Sequence, residues 1–502
     1  MIFKKILCGL LASLMLATTL VSCNSDDTEK ETGSSTESSS KKEEGSDDGK
    51  ESLGLPEDLS FEGEDVTFLT RDAKEWSTTD IYSAGGGSDT ISDAVFKRNE
   101  LVRSRLGVSI KEIKVDDATL SQQVQQTTAG NLNAFQAVVS RSLEASSLAV
   151  SGYLRDLNSK TIQHLDLSQS WWDQNISSEL SMGGHLYYAT GDIVTSDNNA
   201  TFSILFNKTL ANDSKLPNMY NLVKNNEWTM EQMLSFMTTV GSDSGASDRT
   251  YGLLYTNDTA FSIYYGAGIK AVNKIEDSFV AQLDTKLADD VADIAKQIFS
   301  DSISLNLAEE EVRTGETLMQ LGQTYFGGGK ALFYGDVLQC VERMRSYDVV
   351  FGVLPYPMYD TNQSGYYHMM HLEGSVVSIP RSGAIRNEVL EKTTATLEAM
   401  AYYSVDTLTK QYYEINLTSK DLRDAESAPM IDLILSTRVY DLAYYFDLTT
   451  SQGNITHKLA ACMLPDAKSS VSSVYRGMST MLGKRIDAMI TEMNKTSDMN
   501  QE

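Results

Sequence analysis

His368 and His371 stand three residues apart with Glu373 just behind them, the chain's nearest approach to a metal-ligand pattern. Imidazoles and a carboxylate are ordinary donors to a divalent ion. The segment Tyr366 to Ile379, however, reads as strand, and a strand sends positions i and i+3 to opposite faces. No metal is expected there. A side chain of this group lining a binding surface is the better reading, and Glu373 is kept as a candidate. Other signatures of catalysis are missing from the sequence, which holds no HExxH and no GxSxG. Gly327-Gly328-Gly329-Lys330 has glycines and a lysine, but not the spaced first glycine or the following Ser or Thr that hold phosphate and magnesium. Acids are numerous enough to supply a pair for glycoside cleavage, yet no spacing marks one. No catalytic residue and no cofactor follow, and binding without chemistry is the simpler account.

Such a binding surface needs a body to carry it. The chain has 502 residues, which at about 150 per domain means some three domains or one large two-lobed unit. Hydrophobic residues make up 41%, enough for a core. The net charge is -27, from 42 Lys and Arg against 69 acids. That balance repels polyanions and argues against nucleic acid as a partner, or an anionic lipid surface held by charge alone.

The first residues speak to location. Lys4 and Lys5 precede an apolar run, Ile6 to Val21, of the kind found in export signals. Its end, Leu20-Val21-Ser22-Cys23, resembles the lipobox of bacterial lipoproteins. The resemblance implies a signal peptide over 1–22, lipidation of Cys23, and an extracytoplasmic protein anchored to the cell membrane by lipid. Asn24 to Ser52 has no large apolar side chain, so residues 23–54 are expected to form a disordered acidic tether. With Cys8 in the signal and Cys23 on lipid, Cys340 and Cys462 are left in the body. A disulfide and two free thiols are both open.

Periodicity then places the elements. Asp65 to Thr70, Val108 to Val115 and Phe135 to Ser140 read as strands; Thr90 to Leu106 and Leu120 to Ala129 read as helices between them. This β-α-β-α-β order predicts parallel strands with helical crossovers, and ligands gather beyond the carboxyl ends of such strands. Further strands are expected at Leu186–Ala189, Thr201–Phe206, Tyr251–Tyr255, Ala331–Tyr334 and Val349–Leu354. Long helices are expected at Glu388–Tyr403 and Tyr475–Met493.

Several stretches follow one another in a telling order. They are Gly184-His185-Leu186-Tyr187-Tyr188-Ala189, Ser203-Ile204-Leu205-Phe206-Asn207-Lys208 and Glu227-Trp228-Thr229-Met230-Glu231-Gln232-Met233. Phe326 to Phe333 and Phe351-Gly352-Val353-Leu354-Pro355-Tyr356-Pro357 come after them. In these the chain resembles the extracellular solute-binding proteins (family 1) of ABC importers, the group that includes maltose-binding protein. The resemblance implies an α/β, two-lobed periplasmic-binding-protein-like (type II) fold, each lobe a mostly parallel sheet flanked by helices, joined by a hinge. Lobe 1 would hold 55–191 and 349–404; lobe 2 would hold 192–348 and 405–502. It also implies a monomer that shuts around a carbohydrate, an oligosaccharide for preference, and delivers it to ABC permease subunits. A peptide- or amino-acid-binding receptor of the same fold, and a lipid-anchored protein that binds or cleaves surface glycans, stay open as alternatives.

A sugar is held by flat rings under its C–H faces and by planar polar groups at its hydroxyls. Arg71, Asp72, Glu75 and Trp76, after the first strand, fit that description. Ser140 and Arg141 lie after the third strand, where the family meets its ligand. Asp192, Asp197, Asn198 and Asn199 fall in the implied hinge. In the second lobe the candidates are Asn257 and Asp258, Tyr264 and Tyr265, and Gly335 with Asp336, where a glycine would let backbone approach a ligand. Arg438 and Tyr444 lie in a late stretch that the family turns toward its cleft.

Overall fold

The chain alternates between strands and helices, and strands such as Phe202–Asn207 and Phe351–Leu354 bury both faces. The computed structural model describes residues 52–73, 76, 80–86, 89–241, 249–417 and 426–498. The lipidation candidate Cys23, the expected tether through residue 51 and Glu75 lie outside the described residues, whereas Leu53, at the end expected for the tether, packs on the core beside the first sheet. In chain order the strands are β1 (Asp65–Asp72), β2 (Ser109–Asp116), β3 (Ala137–Arg141), β4 (Phe202–Asn207) and β5 (Tyr251–Tyr255). The hairpin β6 (Asn273–Ile275) and β7 (Ser278–Val280) comes next, then β8 (Ser304–Asn306), β9 (Ala331–Val337) and β10 (Phe351–Leu354). The last are β11 (His368–Met369), β12 (Ser375–Ser378), β13 (Arg438–Val439), β14 (Thr449–Thr450) and β15 (Gly453–Asn454).

Two main sheets result. The first has the order β12-β3-β1-β2, with β2 and β3 parallel to β1 and β12 antiparallel to β3. Alternation along β1 explains its place. Val66 and Phe68 join a core with Val102 and Leu106 of helix Thr90–Leu106 and Leu390 and Leu397 of helix Asn387–Ser404. Leu69 turns the other way, toward Leu120 and Val124 of helix Leu120–Ala129. Helix Thr90–Leu106 is bounded as the sequence suggests. Asp89 accepts from the first-turn amides of Ile91 and Ser92, and Gly107 closes the end at φ 67°, a left-handed conformation that glycine adopts freely.

The second sheet has the order β10-β4-β9-β5-β8. β5 runs parallel to β9 and β8, while β4 runs antiparallel to β9 and β10. The segment 349–404 was expected in the first lobe, but β10 pairs with β4, Leu354 opposite Ile204. The reason is burial on both faces: Phe351 and Val353 pack with Leu205 and Phe326, and Leu354 packs on the other side with Phe206. The same junction explains the Trp-Thr motif. Trp228 is fully buried with its indole donating to the Pro355 carbonyl at 2.9 Å, and Thr229 caps the helix Met230–Val240 by accepting from Gln232.

The chain passes from the first sheet to the second beyond Ala189, which bridges Val377 of β12, by way of the short helix Ser196–Asn199. Leu186–Ala189 forms only isolated contacts of this kind where a strand was expected. It returns from β10 through β11 into β12, and His371 to Gly374 form a turn between those two strands. Thus Tyr366 to Ile379 is two short strands rather than one. The two crossings are tied together, for the His371 amide donates to the Ala200 carbonyl at 2.8 Å. Cys340 and Cys462 are buried free thiols. No helix among the described residues is long and apolar enough to cross a membrane.

Candidate functional site

The carboxyl ends of β1 and β3 place Arg71 and Arg141 on one edge of the first sheet. The turn before β12 brings Glu373 to the same edge. Arg71 Nη1 lies 2.5 Å from Glu373 Oε2, and its other Nη donates to the Glu373 carbonyl. Arg141 Nη1 reaches Glu373 Oε1 at 3.2 Å. Asp117, just after β2, lies 3.4 Å from Arg71 and 3.9 Å from Arg141. Two guanidiniums and two carboxylates therefore balance one another. Burial by itself would raise the Glu373 carboxyl, but the Arg71 hydrogen bond and the charges of Arg71 and Arg141 outweigh it and hold the group below its ordinary value.

Rings adjoin this charged cluster. Trp76 stacks on His371, and Phe202 of β4 meets the same imidazole edge-on. His371 Nδ1 accepts from the Glu373 amide at 3.2 Å, which leaves Nε2 for Asp258 Oδ2, 3.9 Å away. Asp258 sits in the first turn of helix Asn257–Gly266, directly after β5 of the second sheet. Groups from both sheets thus converge at His371: a half-buried indole, an imidazole, two arginines and three carboxylates. From Arg141 a cavity of about 460 Å³ extends past Ser121 and Glu144 to Phe446, Arg485 and Met489. Burial raises the Glu144 carboxyl, and its Oε2 has no hydrogen-bond partner among the described residues.

The structure brings together Arg71, Trp76, Arg141, Asp258 and Glu373 from the sequence-derived candidates. Asn257 is exposed beside Asp258, and Asp72 is exposed at the strand end, opposite Asp116. Ser140 is buried against β12, across from Val376. Tyr444 is buried beneath the site among Phe261, Tyr265 and Tyr445, its phenol pushed up first by burial and then by the Asp258 charge.

Other candidates serve the scaffold instead. Tyr264 and Tyr265 are 2% and 1% exposed in the core, and the Tyr265 hydroxyl donates to Asp441. A Cβ on Gly335 would stand 2.8 Å from Thr259 and 3.0 Å from the Tyr356 hydroxyl, so this glycine makes room for packing, not for a ligand. Asp336 is largely buried and accepts from the Tyr334 hydroxyl. Arg438 is buried between Asp173, 3.0 Å from its Nε, and Asp197, 2.9 Å from its Nη1. Asp197 and Asn198 are accordingly closed off, Asn199 is half-buried, and Asp192 accepts from the Thr409 hydroxyl. A buried charge needs partners, and the hinge supplies them. His368 is likewise satisfied in the core: Nε2 accepts from the Tyr356 amide and Nδ1 faces Thr437, while burial lowers it to about 3.

Asp117, Glu144, Phe202 and Phe446 escaped the sequence reading, and His371 entered it within a group of three of which one side chain was expected to line a binding surface. Asp117 follows β2 directly, so the strand-end rule that singled out Arg71 reaches it too. Phe446 and Glu144 carry no such local signal.

Comparison with solved structures decides the architecture. The chain matches the sugar-binding protein MalE from Xanthomonas citri with a TM-score of 0.55 at 11% identity, covering 87% of this chain and 100% of that one. It matches the GacH receptor of Streptomyces glaucescens, solved with acarbose, with a TM-score of 0.54 at 13% identity over 86% and 99%. An ABC substrate-binding protein from Listeria monocytogenes in complex with cycloalternan gives 0.53 at 11% identity over 84% and 99%. The fold is the two-lobed fold of periplasmic binding proteins. No protein-family model and no curated protein matches the sequence.

Proposed function

We propose that the chain is the substrate-binding lipoprotein of an ABC importer, capturing an oligosaccharide between its lobes and passing it to membrane permease subunits. The observation that carries this reading is the convergence at His371. Trp76 and His371 offer flat apolar faces, and Arg141, Glu373 and Asp258 offer planar hydrogen-bonding groups beside them. That pairing suits a pyranose ring, whose C–H face is apolar and whose rim carries hydroxyls. Since Asp258 belongs to the second lobe and Trp76 to the first, a ligand touching both favours the closed form over the open one. The acarbose and cycloalternan named for two of the matched proteins, and the sugar-binding protein that is the third, support the same ligand class. Within this reading the chain leaves its ligand chemically intact, acts as a monomer, and is held outside the cell by lipid on Cys23.

Isothermal titration of the purified chain against malto-oligosaccharides and against a peptide panel tests it, with small-angle scattering to follow lobe closure. Saturable sugar binding with a decrease in radius of gyration is expected. Binding of peptides alone would move the assignment to a peptide receptor, and release of new reducing ends would make the chain a glycosidase.

A further inference from the structure

A second cavity, of about 390 Å³, is lined by Arg155, Lys160, Thr161, Gln163, Arg381 and Arg386, with Ser382, Gly383, Asn387 and Leu390 completing the wall. It lies away from the His371 site. β12 runs antiparallel to β3, with Ser375 opposite Arg141 and Ser378 opposite Val138, so its far end, which leads to Arg381, lies at the edge of the sheet opposite the cluster of Arg71 and Arg141.

Three features make this cavity an anion site. The first is charge: four cationic side chains line it and no carboxylate does, in a chain whose net charge is -27. The nearest acids of the adjoining helix, Glu388 and Glu391, are not among the lining residues, and Glu391 is 3.1 Å from His164. The second is an unmet donor. Arg155 is 7% exposed, one Nη donates to the Ile385 carbonyl at 2.8 Å, and its Nε is buried without a hydrogen-bond partner among the described residues. A fixed guanidinium beside a cavity, with like charges around it, leaves positive charge uncompensated, which an oxyanion offsets. The third is the helix Asn387–Ser404, which begins at the cavity wall with Arg386 in the cap position and no side chain bonded to its first amides. Those amides and the helix dipole favour negative charge.

The backbone holds this geometry. Leu154 bridges Pro380, and on either side the Arg155 amide donates to Ile379 while the Arg381 amide donates to Tyr153, both at 2.8 Å. Arg155 and Arg381, far apart in sequence, are thereby held on neighbouring backbone. We propose that this cavity binds a phosphate group. A monoester dianion matches the charge of several cations better than a single carboxylate does, and its oxygens can accept from guanidinium forks and helix amides together. The phosphate belongs either to a free small molecule or to the headgroup of an anionic phospholipid.

The test uses the full chain and the variant Lys160→Gln/Arg386→Gln, whose two sites are exposed and whose loss leaves Arg155 and Arg381 in place. Probes are inorganic phosphate and glycerol phosphate in solution, and vesicles containing phosphatidic acid against vesicles of phosphatidylcholine. Binding of a soluble phosphate that weakens at least tenfold in the variant and with rising salt is the expected result for a free ligand. Binding only to vesicles containing phosphatidic acid, weakened likewise in the variant, assigns the headgroup. Unchanged melting of the unliganded variant shows that folding is intact. If no probe binds, or if the variant binds every probe as the parent does, the proposal is overturned. Sugar binding at the His371 site is a separate readout and is unaffected in either case.

Discussion

The indole of Trp76 lies parallel to the imidazole of His371, with centroids 5.8 Å apart and planes inclined by 10°. Trp76 follows a strand of the first sheet, and His371 lies on the crossing that joins the sheets. Of the four tryptophans in the chain, Trp171, Trp172 and Trp228 are buried, at 2%, 3% and 0% exposure. Trp76 alone is placed to report a ligand at this site. Addition of a binding oligosaccharide should therefore change the tryptophan emission, and Trp76→Leu should abolish most of that change. The same substitution should weaken binding by about tenfold, the worth of a lost ring face. An unaltered emission response in the variant would place the ligand elsewhere.

Glu373 neutralises Arg71, whose side chain is 3% exposed. Glu373→Gln should destabilise the chain by about 1–3 kcal/mol at pH 7, since a buried charge loses its strongest partner. The pH dependence has a definite sign. Burial opposes ionisation of Glu373, but Arg71 and Arg141 outweigh it, so the folded value lies below the ordinary 4.5. Its contribution is present above that ordinary value and is lost as pH falls through the lower folded one. Urea titrations should find parent and variant converging as the medium is acidified.

Asp192 shows the opposite behaviour. Burial, and after it the Asp197 charge, raise its carboxyl to about 7 despite the Thr409 hydrogen bond and the Arg438 charge. The unfolded chain releases this proton near the ordinary 3.8, so stability contributed by the protonated form falls as pH rises from there to about 7. Asp192→Asn retains an oxygen for Thr409 and removes the titration. Its melting temperature should depend on pH less steeply over that window, by at least ~1 kcal/mol of stability. A profile identical to the parent's would refute the assignment.

Gly352 of β10 faces Phe206 of β4. A Cβ there would stand 2.0 Å from the Tyr220 hydroxyl and 2.5 Å from the Phe206 ring. Gly352→Ala should cost about 1–3 kcal/mol through overpacking, read as an earlier urea midpoint. A substitution without effect would mean that the two rings move aside easily.

Local order was written into the chain. The helix Thr90–Leu106 was bounded to the residue by its apolar spacing and Gly107, and the Thr229 cap was visible as a Trp-Thr pair ahead of an amphipathic run. The strand-end rule found Arg71 and Arg141, because the β-α-β order already implies which edge of the sheet they occupy. These signals lie within a few residues of what they control.

Tertiary structure decided the rest. Alternation says that β10 buries both faces, but not that β4 is its neighbour. Arg438 looked available for a ligand, and its burial depends on Asp173 and Asp197, contributed by distant segments. His371 belongs to the site because a turn interrupts what its sequence presents as one strand, and Arg155 meets Arg381 only through the bridge from Leu154 to Pro380. Periodicity reports which face of an element is apolar; the fate of a charged side chain is set by the field and hydrogen bonds of groups that only folding brings within reach.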